Sequence, residues 1–345
     1  MSNYFRKHTA CGSKDRKWIS EAVYKMVRWR GLIDALISKP ATWEKRLEVY
    51  QNFNPAEHLH RSDLQDHVRV SFPKYLFGLL KEAYGPEQAI KLCLALNEPA
   101  PTTVRANTIK TTRDALIDLW PDYSISKTEQ SPFGITFHKK INFFATPEFK
   151  KGFFEVQDEG SQLVAFMVKA KPGDHILDFC SGSGGKALAI APFMEGSGQL
   201  YLHDIRTRAL QDAKKRLKRA GVQNAQIVLP DNLAPLKGKM DWILVDAPCS
   251  GTGTLRRNPD MKWKISPDTI DNLVHDQRKI FETALQFLKP GGHIVYATCS
   301  ILPQENEKQI EHFCNEYNLI AKESFTSLPE SGKMDGFFAQ TLVRS

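Results

Sequence analysis

His175-Ile176-Leu177-Asp178-Phe179-Cys180-Ser181-Gly182-Ser183-Gly184-Gly185-Lys186-Ala187 is the stretch on which the fold turns. An apolar strand over 175–179 runs into a glycine-rich loop, and a helical run follows over 186–192. Glycines let the backbone turn sharply and come close to a ligand, and a helix N-terminus offers free N–H groups. Downstream, short apolar runs at 199–203, 225–229, 242–246 and 293–298 alternate with helical runs at 206–220 and 270–288. Such alternation predicts βαβ units and a largely parallel sheet with helices on both faces, an α/β Rossmann-like class. Segments 318–323 and 336–343 are expected to close the sheet as an antiparallel hairpin.

Upstream of residue 153 the pattern differs. Between 15 and 97 it is helical: Trp18, Ile19, Val23, Met26 and Val27 recur at helical spacing, and Leu32, Ile33, Leu36 and Ile37 continue the stripe. A second helical stretch, 75–96, is broken by Gly85-Pro86, and Glu98-Pro99-Ala100-Pro101 reads as a hinge. From 103 to 150 a strand (104–109), a helix (112–120) and two β-like runs (134–138 and 141–145) are expected. The expected plan is therefore a helical domain over 1–97, a small α+β domain over 98–150 and an α/β domain over 151–345.

A chain of 345 residues with 41% hydrophobic and 25% charged residues has ordinary globular composition. A formal net charge of +8 favours a polyanionic partner. The six cysteines show no C-x-x-C and no Cys/His ligand spacing, so neither a metal site nor a disulfide framework is expected. Residues 1–8 lack the apolar segment of a secretory signal, and no apolar run reaches the roughly 20 residues that span a bilayer. A reducing cytoplasm, with thiols left free for chemistry, is the expected compartment.

Gly182-Ser183-Gly184-Gly185-Lys186-Ala187 matches G-x-G-x-x-A, and Asp204 follows the next strand. The loop is not a Walker A sequence, because Ala187 stands where a magnesium-binding hydroxyl belongs. Both a nicotinamide cofactor and S-adenosylmethionine carry an adenosine whose ribose suits a carboxylate at Asp204, and Asp231 is a candidate for the adenine amino group. Three successive strands ending in Asp178, Asp204 and Asp231 favour a nucleoside site, with Arg208 counted beside Asp204. The loop itself leaves the choice of cofactor open.

The ends of the next two strands are more selective. One reads Asp246-Ala247-Pro248-Cys249-Ser250-Gly251, the other Thr298-Cys299-Ser300. Any single thiol is more often buried filler, the reading kept for Cys93, Cys314 and Cys180. Two thiols at neighbouring strand ends, each followed by serine, lie where open α/β sheets bind ligands.

These blocks resemble the Fmu/Sun-type RNA cytosine-5 methyltransferases, which modify bacterial ribosomal RNA. The resemblance includes Gln157-Asp158-Glu159-Gly160-Ser161, the loop Asp178 through Lys186, Arg256-Arg257-Asn258-Pro259-Asp260-Met261-Lys262-Trp263, Glu305-Asn306 and Asp335-Gly336-Phe337-Phe338. It departs at the loop, where the family commonly has Ala-Ala-Pro-Gly-Gly-Lys-Thr and this chain has Ser181 through Ala187. The resemblance implies S-adenosylmethionine as cofactor, Cys299 as the nucleophile that adds to cytosine C6, and Cys249 as the thiol that assists release. It places Lys186, Asp204, Asp231 and Asp246 around the cofactor and target, with Cys180, Ser181, Gly182, Ser183, Gly184 and Gly185 in the loop. A thiolate at C6 makes C5 nucleophilic, and Asp246 would stabilise the ring through N3 or the amino group.

The front of the chain resembles, more weakly, the NusB-like RNA-binding domain of some family members. Arg105, Asn107 and Lys110 resemble the R-x-N-x-x-K stretch of their RNA-positioning domain, which would set donors along one strand face for phosphates or base edges. Arg256, Arg257 and Lys262 are further candidates for gripping RNA, with Trp263 available for stacking. The run Lys214, Lys215, Arg216, Lys218 and Arg219 reads as a solvent-facing helix. Ribosomal RNA is the expected partner, then transfer RNA, with no membrane and nothing demanding more than a monomer. Two rival readings stand beside this one: a nicotinamide-dependent dehydrogenase, which leaves both cysteines idle, and a non-catalytic RNA-binding assembly factor.

Overall fold

The computed structural model describes residues 2–139 and 141–344. It divides into two compact units, Met1–Pro99 with Leu255–Pro267, and Ala100–Thr254 with Asp268–Ser345.

The first unit is helical, with helices that include Ser13–Arg28, Arg30–Ala35, Trp43–Gln51, Lys74–Tyr84 and Pro86–Leu96. The last two part at Gly85, whose φ of 78° is easy only for glycine, and Pro86 restarts the helix at its first position. Ala22, Met26, Trp29, Leu32, Ile33 and Phe53 form a core. Trp18, expected in that stripe, is 57% exposed, because it lies one turn before Ala22 and past the edge of the core.

The segment Leu255–Pro267, expected to stay with the α/β domain, belongs to this helical unit. Lys262 explains why. Its ammonium donates to the Arg28 carbonyl and to Asn97 Oδ1, each at 2.7 Å, and lies over the Phe72 ring. Burial pulls its pKa well below the ordinary lysine value. The Trp263 indole donates to the Val27 carbonyl at 2.8 Å, and Arg28 donates to the Arg256 carbonyl at 2.8 Å.

The second unit holds two sheets. In the smaller, β1 (Thr102–Ala106), β2 (Ile125–Lys127), β3 (Gly134–Phe137) and β4 (Phe154–Val156) lie in the order β2-β3-β1-β4, all antiparallel. Val104, Trp120, Ile135, Phe137, Phe143 and Phe154 fill its core. The β-like run 141–145 is instead a 3₁₀ turn over Phe143–Ala145. Thr146 caps and Pro147 opens the helix Pro147–Lys151 directly after it, so no length is left for a strand.

The larger sheet has β5 (His175–Asp178), β6 (Gln199–His203), β7 (Ala225–Val228), β8 (Met240–Asp246), β9 (Leu288–Thr298), β10 (Leu319–Ser327) and β11 (Phe337–Arg344), in the order β10-β11-β9-β8-β5-β6-β7. The first five pair in parallel, and β10 and β11 add the expected antiparallel hairpin beside β9. Along the central strands, neighbouring residues point to opposite faces. Ile176, Leu244 and Val295 join one apolar cluster, while Leu177, Ile243 and Ile294 join the other. Burial on both faces is why these strands read as unbroken apolar runs. From β5 the chain moves outward to β6 and β7, then returns to β8 on the opposite side. That reversal opens a crevice at the carboxyl ends of β5 and β8, where such sheets bind ligands.

Phe281 is fully buried and stacks on Phe313 with ring centroids 3.8 Å apart. We expect Phe281→Ala to cost about 3–5 kcal/mol, read as a lower denaturant midpoint with an unchanged slope in equilibrium unfolding.

Candidate active site

The loops after β5, β6, β8 and β9 converge on that crevice. In the loop after β5, Gly182 and Gly184 have φ of 52° and 78°, the left-handed region that glycine enters without strain. At Gly185 an added Cβ would meet nothing within 4 Å, so open space lies above the loop. Ser181 Oγ and both carboxylate oxygens of Asp178 are buried without a well-formed hydrogen bond among the described residues. Burial first, and then the charge of Asp246, push the Asp178 pKa up to about 8. A buried carboxyl and hydroxyl with unspent bonding capacity beside an open glycine backbone fit a polar nucleoside ligand seated on this loop.

Asp204, at the end of β6, accepts from the Gly182 N–H at 2.8 Å and from the Arg206 N–H at 2.8 Å. The Arg206 guanidinium covers it from solvent at 3.0 Å and is itself 69% exposed. These donors outweigh the effect of burial and hold the Asp204 carboxyl below its usual range. Asp231 and Arg208 are exposed, and no hydrogen bond among the described residues ties either to the glycine loop. The Cys180 side chain packs against the apolar cluster under the loop, and burial pushes its thiol pKa upward.

The two cysteines meet. Cys249 Sγ and Cys299 Sγ are 3.4 Å apart, and Thr254 Oγ1 approaches Cys299 Sγ at 3.9 Å. Lys186 Nζ pairs with Asp246 Oδ2 at 2.5 Å beside them. The Cys299 pKa is lowered, chiefly because the Cys249 thiol donates to it, with Lys186 and Thr254 assisting against burial. The Cys249 pKa rises well above an ordinary thiol because it keeps the shared proton and is buried. Lys186 and Thr254 both face Cys299, which favours the thiolate there.

What holds the sulfurs together is a residue to which the sequence alone assigned no role. Glu305 is fully buried and accepts from the Ser250 N–H at 2.8 Å, from Ser250 Oγ and Ser300 Oγ at 2.5 Å each, and from Gln277 Nε2 at 3.0 Å. Asn306 accepts from Thr298 Oγ1 at 2.6 Å and donates to the Ser300 carbonyl at 2.9 Å. The repeated Cys-Ser was the available signal: two serines in matching positions call for a common acceptor. Behind this loop, Gly253 lies against Gly336, whose N–H donates to the Gly253 carbonyl at 2.9 Å. A Cβ on Gly253 would stand 2.2 Å from the Gly336 oxygen.

The expected RNA-facing side chains are placed otherwise. Arg105 is 2% exposed and donates to Gln157 Oε1 at 2.7 Å, and burial lowers its pKa to about 10. Asn107 donates to the carbonyls of Gly152 and Ala220, and Lys110 to those of Lys151 and Arg219. Asn107 and Lys110 tie the end of β1 to the last residues of the helix Thr207–Ala220, and Arg105 is turned inward onto Gln157, so the three do not line an exposed strand face. Arg256 and Lys262 are buried at 2% and 1% exposure, whereas Arg257 is exposed. The basic helix is only partly solvent-facing, since Arg216 and Arg219 both bind Glu155.

Comparison with known proteins gives the following. A family model described as 16S rRNA methyltransferase RsmB/F matches residues 165–343, and a model for the RsmF/B-like ferredoxin-like domain matches residues 72–143. The ribosomal RNA small subunit methyltransferase B of Vibrio vulnificus is 32% identical over 331 residues, covering 92% of this chain and 74% of that protein. A probable ribosomal RNA small subunit methyltransferase B of Synechocystis is 31% identical over 301 residues, covering 80% and 68%. The crystal structure of PH0851 is similar in fold at TM-score 0.85 and 22% identity, covering 99% of this chain and 93% of that one. That of NSun6 from Pyrococcus horikoshii, solved with SFG, is similar in fold at 0.73 and 21%, covering 79% and 98%.

Two outcomes test this site. Alkylation of Cys299 by iodoacetamide, followed by mass spectrometry, should reach half its maximal rate below the pH of about 8.5 typical of a free thiol. Lys186→Met should move that midpoint to higher pH by removing the nearby cation. Glu305→Ala should cost about 3–5 kcal/mol, because it strands buried donors. Glu305→Gln should cost only about 1–2 kcal/mol in the same unfolding experiment, since both serine hydroxyls can turn to accept from the amide.

Proposed function

The chain belongs to the RsmB/F family of 16S ribosomal RNA methyltransferases, which use S-adenosylmethionine, and on that premise we propose that it methylates carbon 5 of a cytosine in ribosomal RNA through a covalent cysteine adduct. The observation that carries this reading is the 3.4 Å approach of Cys249 and Cys299, with Lys186 and Thr254 beside the Cys299 sulfur. Methylation of a ribose hydroxyl or an exocyclic nitrogen, already nucleophilic, needs no thiol. Methylation at C5 needs one, because that carbon must first be made nucleophilic.

S-adenosylmethionine supplies an electrophilic methyl group, and Asp178, Ser181 to Gly185 and Asp204 are the residues that would hold it. Ribose hydroxyls would replace the exposed Arg206 guanidinium on the Asp204 carboxylate. Asp231 would meet the adenine amino group, with Arg208 as a further cofactor-binding residue.

Cys299, as thiolate, adds to C6 of the cytosine, and the ring becomes an enamine with its nucleophilic centre at C5. Asp246, ion-paired to Lys186 at 2.5 Å, accepts from the exocyclic amino group, and Lys186 keeps the local charge balanced as electron density moves onto the ring. Once C5 carries the methyl group, its remaining hydrogen must leave as a proton and the C6–S bond must break. Cys249, adjacent to Cys299, is the group assigned to that release. Before the reaction its high pKa keeps it protonated. Once Cys299 is bonded to C6 its charge is gone, and the Cys249 proton passes to water. The Cys249 thiolate then takes the C5 proton as the C5–C6 double bond re-forms and Cys299 leaves as thiolate. A base in the target must be out of its stack to meet both sulfurs, so a loop or flipped nucleotide is the expected substrate.

Single substitutions separate the roles. Cys249→Ala should accumulate a protein–RNA adduct on a denaturing gel, while Cys299→Ala should form none and lose methyl transfer. An adduct with Cys299→Ala and none with Cys249→Ala would reverse the assignment. Bisulfite sequencing of ribosomal RNA from cells with and without the gene identifies the cytosine, and its failure to find any would remove the C5 reading.

A further inference from the structure

We propose that Arg216 is a positioning residue for the cofactor loop: it links the buried carboxylate of Glu155, on the small sheet, to Ser183 and so fixes the loop conformation that S-adenosylmethionine meets. The proposal needs only the methyltransferase family and not the cytosine mechanism.

The loop requires an outside tie. Ser183 stands between Gly182 and Gly184, both at positive φ, so the chain has a pivot on each side of it. No proline stiffens the turn, and the helix that follows, Ala187–Ile190, is one short turn. Arg216 supplies the tie. Its Nη1 donates to the Ser183 carbonyl at 2.9 Å and to Ser183 Oγ at 2.7 Å. Its Nη2 and Nε donate to Glu155 Oε2 at 3.0 and 3.2 Å. One planar guanidinium therefore fastens two groups in fixed relative positions, a task a lysine ammonium on its flexible stem performs poorly.

Glu155 is a rigid anchor. It lies on β4, is 3% exposed, and gives its other oxygen to Arg219, whose guanidinium rests on the Phe149 ring. Arg105, its register partner on β1, adds a third cation. Three guanidinium groups around one carboxylate leave N–H donors over, and those of Arg216 go to the loop. Two residues further along, Gln157 makes a second tie. It accepts from Arg105 Nε at 2.7 Å and donates to the Gly185 carbonyl at 3.3 Å. The small sheet thus grips the loop at the carbonyls of Ser183 and Gly185, which sets the planes of both peptides.

The test titrates the full-length protein with S-adenosylhomocysteine by calorimetry and measures methyl transfer to RNA at varied S-adenosylmethionine. Arg216→Ala should weaken the calorimetric Kd and raise the KM for S-adenosylmethionine roughly tenfold, with kcat at saturation within twofold. Arg216→Lys should fall between, and Ser183→Ala should add nothing in the Arg216→Ala background. Calorimetric affinity within twofold of the parent, whether or not the melting temperature falls, overturns the proposal, as does a fall in kcat at unchanged Kd. Should Arg216→Ala fail to fold, Arg216→Lys keeps a cation beside Glu155 but cannot hold Glu155 and Ser183 in fixed relative positions. It should then bind about threefold more weakly, and parent affinity there overturns the proposal equally.

Discussion

The geometry of the active site depends on one buried carboxylate. Strands β8 and β9 run in parallel with Asp246 opposite Ala297, so the loops carrying Cys249 and Cys299 leave the sheet side by side. Parallel pairing alone brings two loops near each other and does not aim their side chains. Glu305 does, because it binds the serine that follows each cysteine and thereby fixes both loops to one point. Hydrogen bonds to a buried acceptor are strong where no water competes, and leaving any of these donors unpaired is costly. The network thus has few alternative arrangements, and the 3.4 Å sulfur contact follows from it.

Electrostatics then divides the two thiols. A sulfur buried in protein resists ionisation, and burial is the largest cause of the raised pKa of Cys180 and of Cys93. Cys299 shares their burial, yet its pKa falls, since a thiol donor, an ammonium and a hydroxyl all face it. Lys186 serves both halves of the crevice: it starts the helix after the cofactor loop and neutralises Asp246 beside the thiols. A cation placed there eases ionisation of Cys299 without a separate base.

The parts legible in the sequence are those set by local patterning. Continuous apolar runs such as 242–246 and 293–298 marked strands covered on both faces, and Gly85-Pro86 marked a helix boundary within a residue. The cysteine pair was legible because strand ends of an α/β sheet share one edge. What remained hidden was where long polar side chains spend their donors. Arg105, Asn107 and Lys110 alternate as an RNA-facing strand would, but Arg105 binds the Gln157 side chain and the other two bind backbone carbonyls up to 113 positions away in the chain. Local spacing carries no trace of such partners. The same holds for Glu305, and for Lys262, whose motif looks like a phosphate grip and is instead an internal tie.

This use of cations changes what the net charge means. A formal +8 suggests a basic surface for a polyanion. Yet Arg28, Arg105, Lys186, Arg256 and Lys262 are each 9% exposed or less. Lys262 is held by neutral oxygens, so its charge was taken out of water with no carboxylate partner among the described residues. The lowered pKa reflects that cost. Hydrophobic residues of similar size would fill the same space at lower cost but could not select these particular acceptors. Arg28, Asn97 and Lys262 therefore fix which backbone positions the 255–267 segment meets, trading stability for register. A count of charges therefore overstates the basic surface, because several of these cations are spent inside the protein and only others, such as Lys214 and Lys218, lie in solvent.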